Sequence, residues 1–403
     1  MNKIVYITAR TPFSIGEEFI LTEMLALKNL DADLLIFPRD RNDYLFHKKA
    51  EPLVKDTVVL PWFNLAIGAV FIRTILKSPL SMFRIVIDVV FESRNLRIAL
   101  KNLIIMPKSV YLSAVANKYP VSHLHAHWGT TTSTMAYIIS KLTGIPWSLT
   151  VHRGDIKENN LLKLKVQDAK FTRCISANSR EMLISIVGDQ CKDKIIIIPM
   201  GVKIETSNSI LPKQNVLFSI AVPANLVSVK GHRFLVDACS ILKKRGINNF
   251  LCTFYGDGIL RQKLTNQISS AHVGDVVTIQ GQIPHEELLK LYDEGKVDII
   301  VLPSIYTERG DHEGIPVSLM EAMAYGIPVV STNTGGIPEL IGDGCGIMVE
   351  EKNPLALADA IEKLYNDPAY RKALGEVGRQ KVISDFNVSH ISNQLLDLFE
   401  KKS

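Results

Sequence analysis

The stretch that most constrains the chain runs from Asp311 to Glu339. It reads Asp311-His-Glu-Gly-Ile-Pro-Val-Ser-Leu-Met-Glu321, then Ala322-Met-Ala-Tyr-Gly-Ile-Pro-Val-Val-Ser331, and ends in Gly335-Gly-Ile-Pro-Glu339. Pro316 suits the first turn of a helix, where its missing N–H costs nothing. Gly326 followed by Pro328 stops that helix, and Val329-Val330-Ser331 reads as a short buried strand. The spacing therefore predicts a helix over 317–325 whose N-terminus opens behind a loop carrying Gly314. Such an N-terminus offers N–H groups and a partial positive charge, which suit a phosphate. Glu313 stands just before the helix and Glu321 about two turns further on. Two glutamates so spaced also fit an ordinary solvated helix face, so the pair alone does not decide.

The length and order of the whole stretch do. Glu313-Gly-Ile-Pro-Val-Ser-Leu-Met-Glu321 with Ala322-Met-Ala-Tyr-Gly-Ile-Pro, followed by Thr334-Gly-Gly-Ile-Pro-Glu339, resembles the donor-site signature of retaining glycosyltransferases of the GT-B architecture, family 4 (glycosyl transferases group 1) type. The resemblance implies an α/β protein of two doubly wound Rossmann-like domains facing a cleft. It also implies transfer of a sugar from a nucleoside-diphosphate sugar, with UDP the expected nucleotide and GDP-mannose open, to an acceptor hydroxyl with retained configuration.

Size and composition agree with that outline. At 403 residues, 47% hydrophobic and 22% charged, the chain has length for two domains with their own cores. Lys3 begins a strand at once, with no charged and apolar leader pattern before it, so no secretory signal is expected. The five cysteines (174, 191, 239, 252 and 345) are scattered and never form a C-x-x-C pair, which points to reduced thiols in the cytoplasm. The net charge of +5 is modest and implies no nucleic-acid partner. It is unevenly placed: between Thr57 and Val121 stand eight basic residues and two acids, among many Ile, Leu, Val and Phe. The longest uncharged run there, Thr57 to Ile72, falls short of the roughly 20 residues a spanning helix needs. The segment suits either docking on anionic lipid headgroups or a lipid-linked acceptor, which would put the protein at the inner face of the membrane, or core helices with solvated basic faces.

In the first half, Lys3–Thr8 is a strand, and Glu18 to Leu30 has helical spacing. Gly16 sits at the mouth of the turn between them. Alone it serves a plain turn, but the resemblance places a Gly-rich loop here and makes Gly16 a donor contact, with one glycine where a pair is common. Asp33–Pro38 is a second strand, and 60–118 is mostly helical. His123, His125 and His127 alternate and so share one face of a strand. A metal site is one reading of such a triplet. No neighbouring Asp or Cys supports it, and relatives of this architecture need no metal, so none is expected. His127 or Trp128 is instead assigned to acceptor or sugar contact. Trp147 to Val151 is a strand running into His152-Arg-Gly-Asp155, the place where ligands sit in open α/β sheets. The resemblance gives His152 a role beside the donor sugar and Asp155 a positioning role. Further on, Asn178 or Ser179 is expected to cap a helix.

Residues 203–215 are polar and aperiodic and mark the domain boundary. The expected organisation is an acceptor-side domain over 1–202, a donor domain over 203–385, and a final helix within 386–403 packing back on the first domain. Val216–Val222 opens the second sheet. Asn225-Leu-Val-Ser-Val-Lys230-Gly231 is similar to the Arg-x4-Lys-Gly donor-diphosphate element. Lys230 is then a point charge for diphosphate, while Asn225 stands where arginine is usual. Gly256 begins a loop expected under the nucleotide, and Ile283 falls where the base is read. The resemblance implies that Gly314, Ile315 and Val317 supply backbone to the diphosphate, that Glu313 holds sugar hydroxyls, and that Glu321 holds the ribose. No carboxylate is placed as a covalent nucleophile, in contrast to retaining glycosidases. The acceptor is expected to be a cell-surface glycan or lipid-linked saccharide. Two alternatives stand beside this reading: a nucleotide-sugar epimerase or phosphorylase on the same architecture, and a catalytically silent sugar-nucleotide-binding partner of a glycan assembly complex.

Overall fold

The computed structural model describes residues 3–13, 17–40, 44–45, 47–204 and 217–401, with Glu18 described by its backbone alone. Gly16 and most of the expected boundary, 205–215, lie outside the described residues. The chain divides into two units: Met1–Gly201 together with Val388–Ser403, and Val202–Asn387.

The first unit holds a parallel sheet of β1 (Lys3–Thr8), β2 (Leu34–Pro38), β3 (Val121–His127), β4 (Trp147–Val151), β5 (Phe171–Cys174) and β6 (Ile195–Ile197). Its order is β2-β1-β3-β4-β5-β6. Helical crossovers between successive parallel strands cover both faces, so the inner strands are almost wholly buried. Val5, Ile7, Leu124, Ala126, Leu149 and Val151 face one core, under the helices Leu96–Ala116 and Thr131–Thr143. Ile4, Tyr6 and Phe171 face the other, under the helices Glu18–Asn29 and Val388–Glu400. On β4 and β5, Ser148, Thr150, Thr172 and Arg173 are buried polar residues, and β3 carries three buried histidines. Its register, Ile4 opposite His123 and Tyr6 opposite His125, puts the three histidines on this second face.

The second unit holds β7 (Phe218–Pro223), β8 (Phe250–Tyr255), β9 (Val277–Ile279), β10 (Ile299–Leu302), β11 (Val329–Thr332) and β12 (Ile347–Val349), also parallel, in the order β12-β11-β10-β7-β8-β9. Strand order reverses between β1 and β3 in the first sheet and between β7 and β10 in the second. The loops leaving the carboxyl ends of those strands diverge, which opens a ligand crevice at each reversal.

Two local expectations shift. The helix after Cys174 starts at Ala177, and its cap is Ser176, whose hydroxyl accepts the Ser179 N–H at 3.1 Å. Neither Asn178 nor Ser179 caps it, because Ser176 is the last residue in extended backbone. The donor helix is Val317–Ala324, with Pro316 as its extended cap residue, not inside its first turn. As expected, residues 60–118 are mostly helical, in the three helices Leu65–Lys77, Pro79–Phe91 and Leu96–Ala116.

The chain leaves the first unit at Gly201 and returns at Val388. The Val202 N–H donates to Phe386 O at 2.8 Å, and a Cβ on Gly201 would lie 2.6 Å from the Val388 Cα. The returning helix then buries Ile391, Leu395 and Phe399 against the first sheet. Phe399 stacks on His123 with centroids 5.0 Å apart and also meets His125 and Phe171. Phe399→Ala should cost about 3–4 kcal/mol. All three tryptophans (62, 128 and 147) belong to the first unit, so urea unfolding followed by tryptophan fluorescence reads this loss there; an unchanged midpoint would show that the helix contributes nothing to that core.

Candidate functional site

In the second unit, four loops meet at the carboxyl ends of β7, β8, β10 and β11. Gly231 has φ +65°, and a Cβ on it would lie 1.9 Å from Pro303 O, so only glycine lets the loop after β7 press on the loop after β10. Gly335, with φ +57°, likewise lies against Glu313 O, and Gly256 lies against Ala224 O. This close approach brings Lys230 Nζ to 2.7 Å from Glu313 Oε1, both side chains mostly buried. Ser304 Oγ donates to the same carboxylate oxygen at 3.4 Å. Gly314, Ile315 and Val317 follow Glu313 into the helix Val317–Ala324. Glu321, on that helix, faces a different partner, His285 Nε2, at 2.7 Å. Ile283 is half-buried two residues before that histidine. Asn225 is exposed at the mouth of the β7 loop, its carbonyl accepting from Val227 N–H at 2.8 Å. Burial, then the nearby Lys230 charge, pushes the His232 imidazole down to about 4, so it is neutral beside the lysine.

In the first unit, His127 Nε2 lies 2.8 Å from His152 Nε2, so one ring donates to the other. Trp128 stacks obliquely on His152 at 4.5 Å. Trp128 takes φ +83°, an unusual conformation for a bulky residue. Its indole N–H donates to Glu17 Oε1 at 2.8 Å, while Glu17 Oε2 accepts the Thr11 N–H and hydroxyl at 2.9 and 2.7 Å. Glu17 thus ties the loop after β1 to the end of β3. Asp155 Oδ2 accepts the His152 N–H at 2.8 Å.

The His127 side chain has no exposed surface, and its Nε2 is taken up by His152. Nor do the three alternating histidines converge. His123 Nε2 and His125 Nδ1 share Ser148 Oγ at 2.7 and 2.8 Å, and His125 Nε2 meets Thr150 Oγ1 at 3.0 Å. Side chains on one strand face stand in a row along it, and here each finds a hydroxyl or imidazole on β4 or the residue after it.

Several residues around these groups, five in the first unit and His285 in the second, carried no local signal: Glu17, Glu23, Ser148, Thr150, Arg173 and His285. Glu23 and Arg173 pair at 2.6 Å, both buried, although 150 positions separate them. Burial and then the Arg173 charge push His152 down to about 3 and keep it neutral.

Solved structures share this fold. Anabaena HepE in complex with UDP-glucose superposes with a TM-score of 0.70, 16% identity, and coverage of 98% of this chain and 99% of that one. Two parallel six-stranded sheets with flanking helices, matched end to end in this way, define the α/β fold of GT-B glycosyltransferases. Residues 203–381 match the family model described as glycosyl transferases group 1. That match lies in the second unit and includes residues 311–339, where the sequence resembles the same family. Among curated relatives, the amylovoran biosynthesis glycosyltransferase AmsK of Erwinia amylovora is 34% identical over 261 residues, 62% of either chain. The putative colanic acid biosynthesis glycosyltransferase WcaL of Escherichia coli K12 is 36% identical over 222 residues, 52% of either chain. The matches span less than two thirds of these relatives' own length.

Burial pushes the Asp155 carboxyl up to about 6, against the opposing pull of the His152 and Gly129 N–H groups. As pH falls through that value the carboxylate gains a proton and its hold on the His152 N–H weakens. Turnover should therefore drop below about pH 6, and Asp155→Asn should be about tenfold slower and flat between about pH 5 and 8. A pH–rate profile of both proteins checks this; an unchanged acid limb in the variant would remove Asp155 from the site.

Proposed function

We propose that the protein is a retaining glycosyltransferase. It moves a sugar from a nucleoside-diphosphate sugar, with UDP the favoured nucleotide, to a hydroxyl of a cell-surface glycan or lipid-linked saccharide. One observation carries the reading: the Lys230–Glu313 pair, 2.7 Å apart, sits where strand order reverses in the second sheet, beside the N-terminus of the helix Val317–Ala324. An arriving diphosphate takes Lys230 for its own charge and frees Glu313 for sugar hydroxyls, so donor binding exchanges one ion pair for another. Glu321, set apart beside His285, is left for the ribose. The complex of HepE with UDP-glucose, and the naming of AmsK and WcaL for polysaccharide biosynthesis, support the substrate class.

Transfer then needs a stabilised leaving group more than a strong base. The bond from the anomeric carbon to the diphosphate oxygen breaks. The acceptor oxygen bonds to that carbon on the same face, and its proton passes to the departing phosphate. Lys230 and the backbone of 314–317 carry the developing negative charge, so the reaction is assigned no metal. His152, neutral and fixed by His127 and Asp155, is assigned to the donor-sugar side, with Trp128 beside the acceptor. The first unit is assigned the acceptor and the second the donor. The five cysteines are free and buried, which fits work in the reducing cytoplasm.

A second reading, a silent sugar-nucleotide-binding partner, draws on exposed Asn225 where the family element has arginine. Melting-temperature shifts with UDP, GDP, ADP and their sugars, followed by product analysis, separate the two. A selective shift with transfer supports the enzyme, and a shift without transfer supports the silent partner. Glu313→Ala should lower kcat about a hundredfold, and Glu321→Ala should mainly raise the donor Kd, by about tenfold. Near-normal kinetics in both variants would overturn the site.

A further inference from the structure

The first unit carries a surface that the transfer chemistry does not use. Thirteen of the twenty-four exposed large apolar residues among the described residues fall between Phe63 and Ile104. That is a tenth of the chain, where even scatter would put about two or three. Leu65, Leu76, Leu80 and Phe91 are 77–94% exposed, and Phe83 is 63% exposed.

The helices Leu65–Lys77 and Pro79–Phe91 explain the concentration. Each turns an inner stripe to the core: Ile67 with half-buried Val70 and Phe71 on one, and Met82, Ile85 and Val89 on the other. A helix on water normally has a polar opposite face, as His232–Lys244 does with Arg233, Lys243 and Lys244. Here the opposite faces repeat the apolar pattern, with Leu65, Ile72 and Leu76 on one and Leu80, Phe83 and Phe91 on the other. Water is therefore not the solvent these faces match.

Charge selects among occupants. Arg73, Lys77, Arg84, Arg94, Arg97 and Lys101 are exposed around the patch. The helix Leu65–Lys77 has no acid, and the one acid of Pro79–Phe91, Asp88, is taken up by the Tyr137 hydroxyl. A second copy on this face would set cations against cations, whereas an anionic bilayer surface complements both charge and apolar area. Length selects the mode. Thirteen helical residues rise about 20 Å, short of the roughly 30 Å hydrocarbon core, so these helices lie in the interface and do not span it. Leu96–Ala116 is the one described helix long and apolar enough to span, and 56% of its most apolar stretch is buried in the core.

We infer that the helices Leu65–Lys77 and Pro79–Phe91, with the start of Leu96–Ala116, form a monotopic docking face for an anionic membrane. Docking does not depend on the donor chemistry, so it stands or falls separately from the proposed transfer.

Full-length protein sedimented with phosphatidylcholine vesicles, with and without phosphatidylglycerol, tests it. The expected result is tighter binding to the anionic vesicles, lost in the triple variant Leu80→Ser, Phe83→Ser, Phe91→Ser. Arg73→Ala with Arg84→Ala should weaken anionic binding by about twenty-five-fold, about fivefold per cation, and leave neutral vesicles unaffected. Each variant should keep the wild-type melting temperature, since all five side chains are exposed. Binding unchanged by the triple variant would overturn the inference. So would failure of the folded wild type to bind, whether it is a monomer or, by light scattering, a dimer that Phe83→Ser disperses.

Discussion

Arg173 and Glu23 make the contact on which the first unit depends. Arg173 projects from β5, donates to Glu23 Oε2 at 2.6 Å, and spends its remaining reach on the carbonyls of Ile198 and Pro199 at 2.8 and 2.5 Å. Glu23 also accepts the Tyr6 hydroxyl. One guanidinium thereby joins the first helix, β1, β5 and the chain leaving β6. A buried ion pair gains little over an apolar substitute, but losing one partner strands a charge at a cost of about 3–5 kcal/mol. Its second effect is electrostatic. The Arg173 charge adds to burial in holding His125, His127 and His152 well below the usual imidazole range. The same pair that organises the core keeps the candidate site's imidazole neutral.

The second unit solves its problem with backbone. Its loops must come close enough for Lys230 and Glu313 to meet while leaving room for a ligand. Glycine at 231 and 335 removes the Cβ atoms that would otherwise strike Pro303 O and Glu313 O. The alternating strands and helices already place four loops at one end of the sheet. The cation then meets its carboxylate at the order reversal.

Legibility followed sequence distance. Glu313, Gly314, Glu321 and the Val317–Ala324 helix lie in one run, so propensity, turn chemistry and motif order were all readable at once. The doubly wound fold was readable for the same reason, since strands alternate with helices. The histidines of β3 were readable as one face but not as to what that face meets. Phe399, which stacks on His123, lies 276 positions away. That His127 meets His152 was not readable either, since 25 positions separate them. The basic apolar segment at 57–121 left two readings open; that its helices carry exposed apolar outward stripes was not readable from spacing alone.

The sequence by itself determined the alternation of strands and helices and, over 311–339, the order of residues by which the second unit resembles its family. Those are properties of local spacing, which side-chain alternation and helix periodicity impose over a few residues. Only the tertiary structure decided the partners: Glu313 with Lys230, Glu321 with His285, His152 with His127 and Asp155, Arg173 with Glu23. Which groups lose water together, and so which charges and imidazoles hold each other in place, depends on strand order and helix packing, and no window of neighbouring residues contains that information.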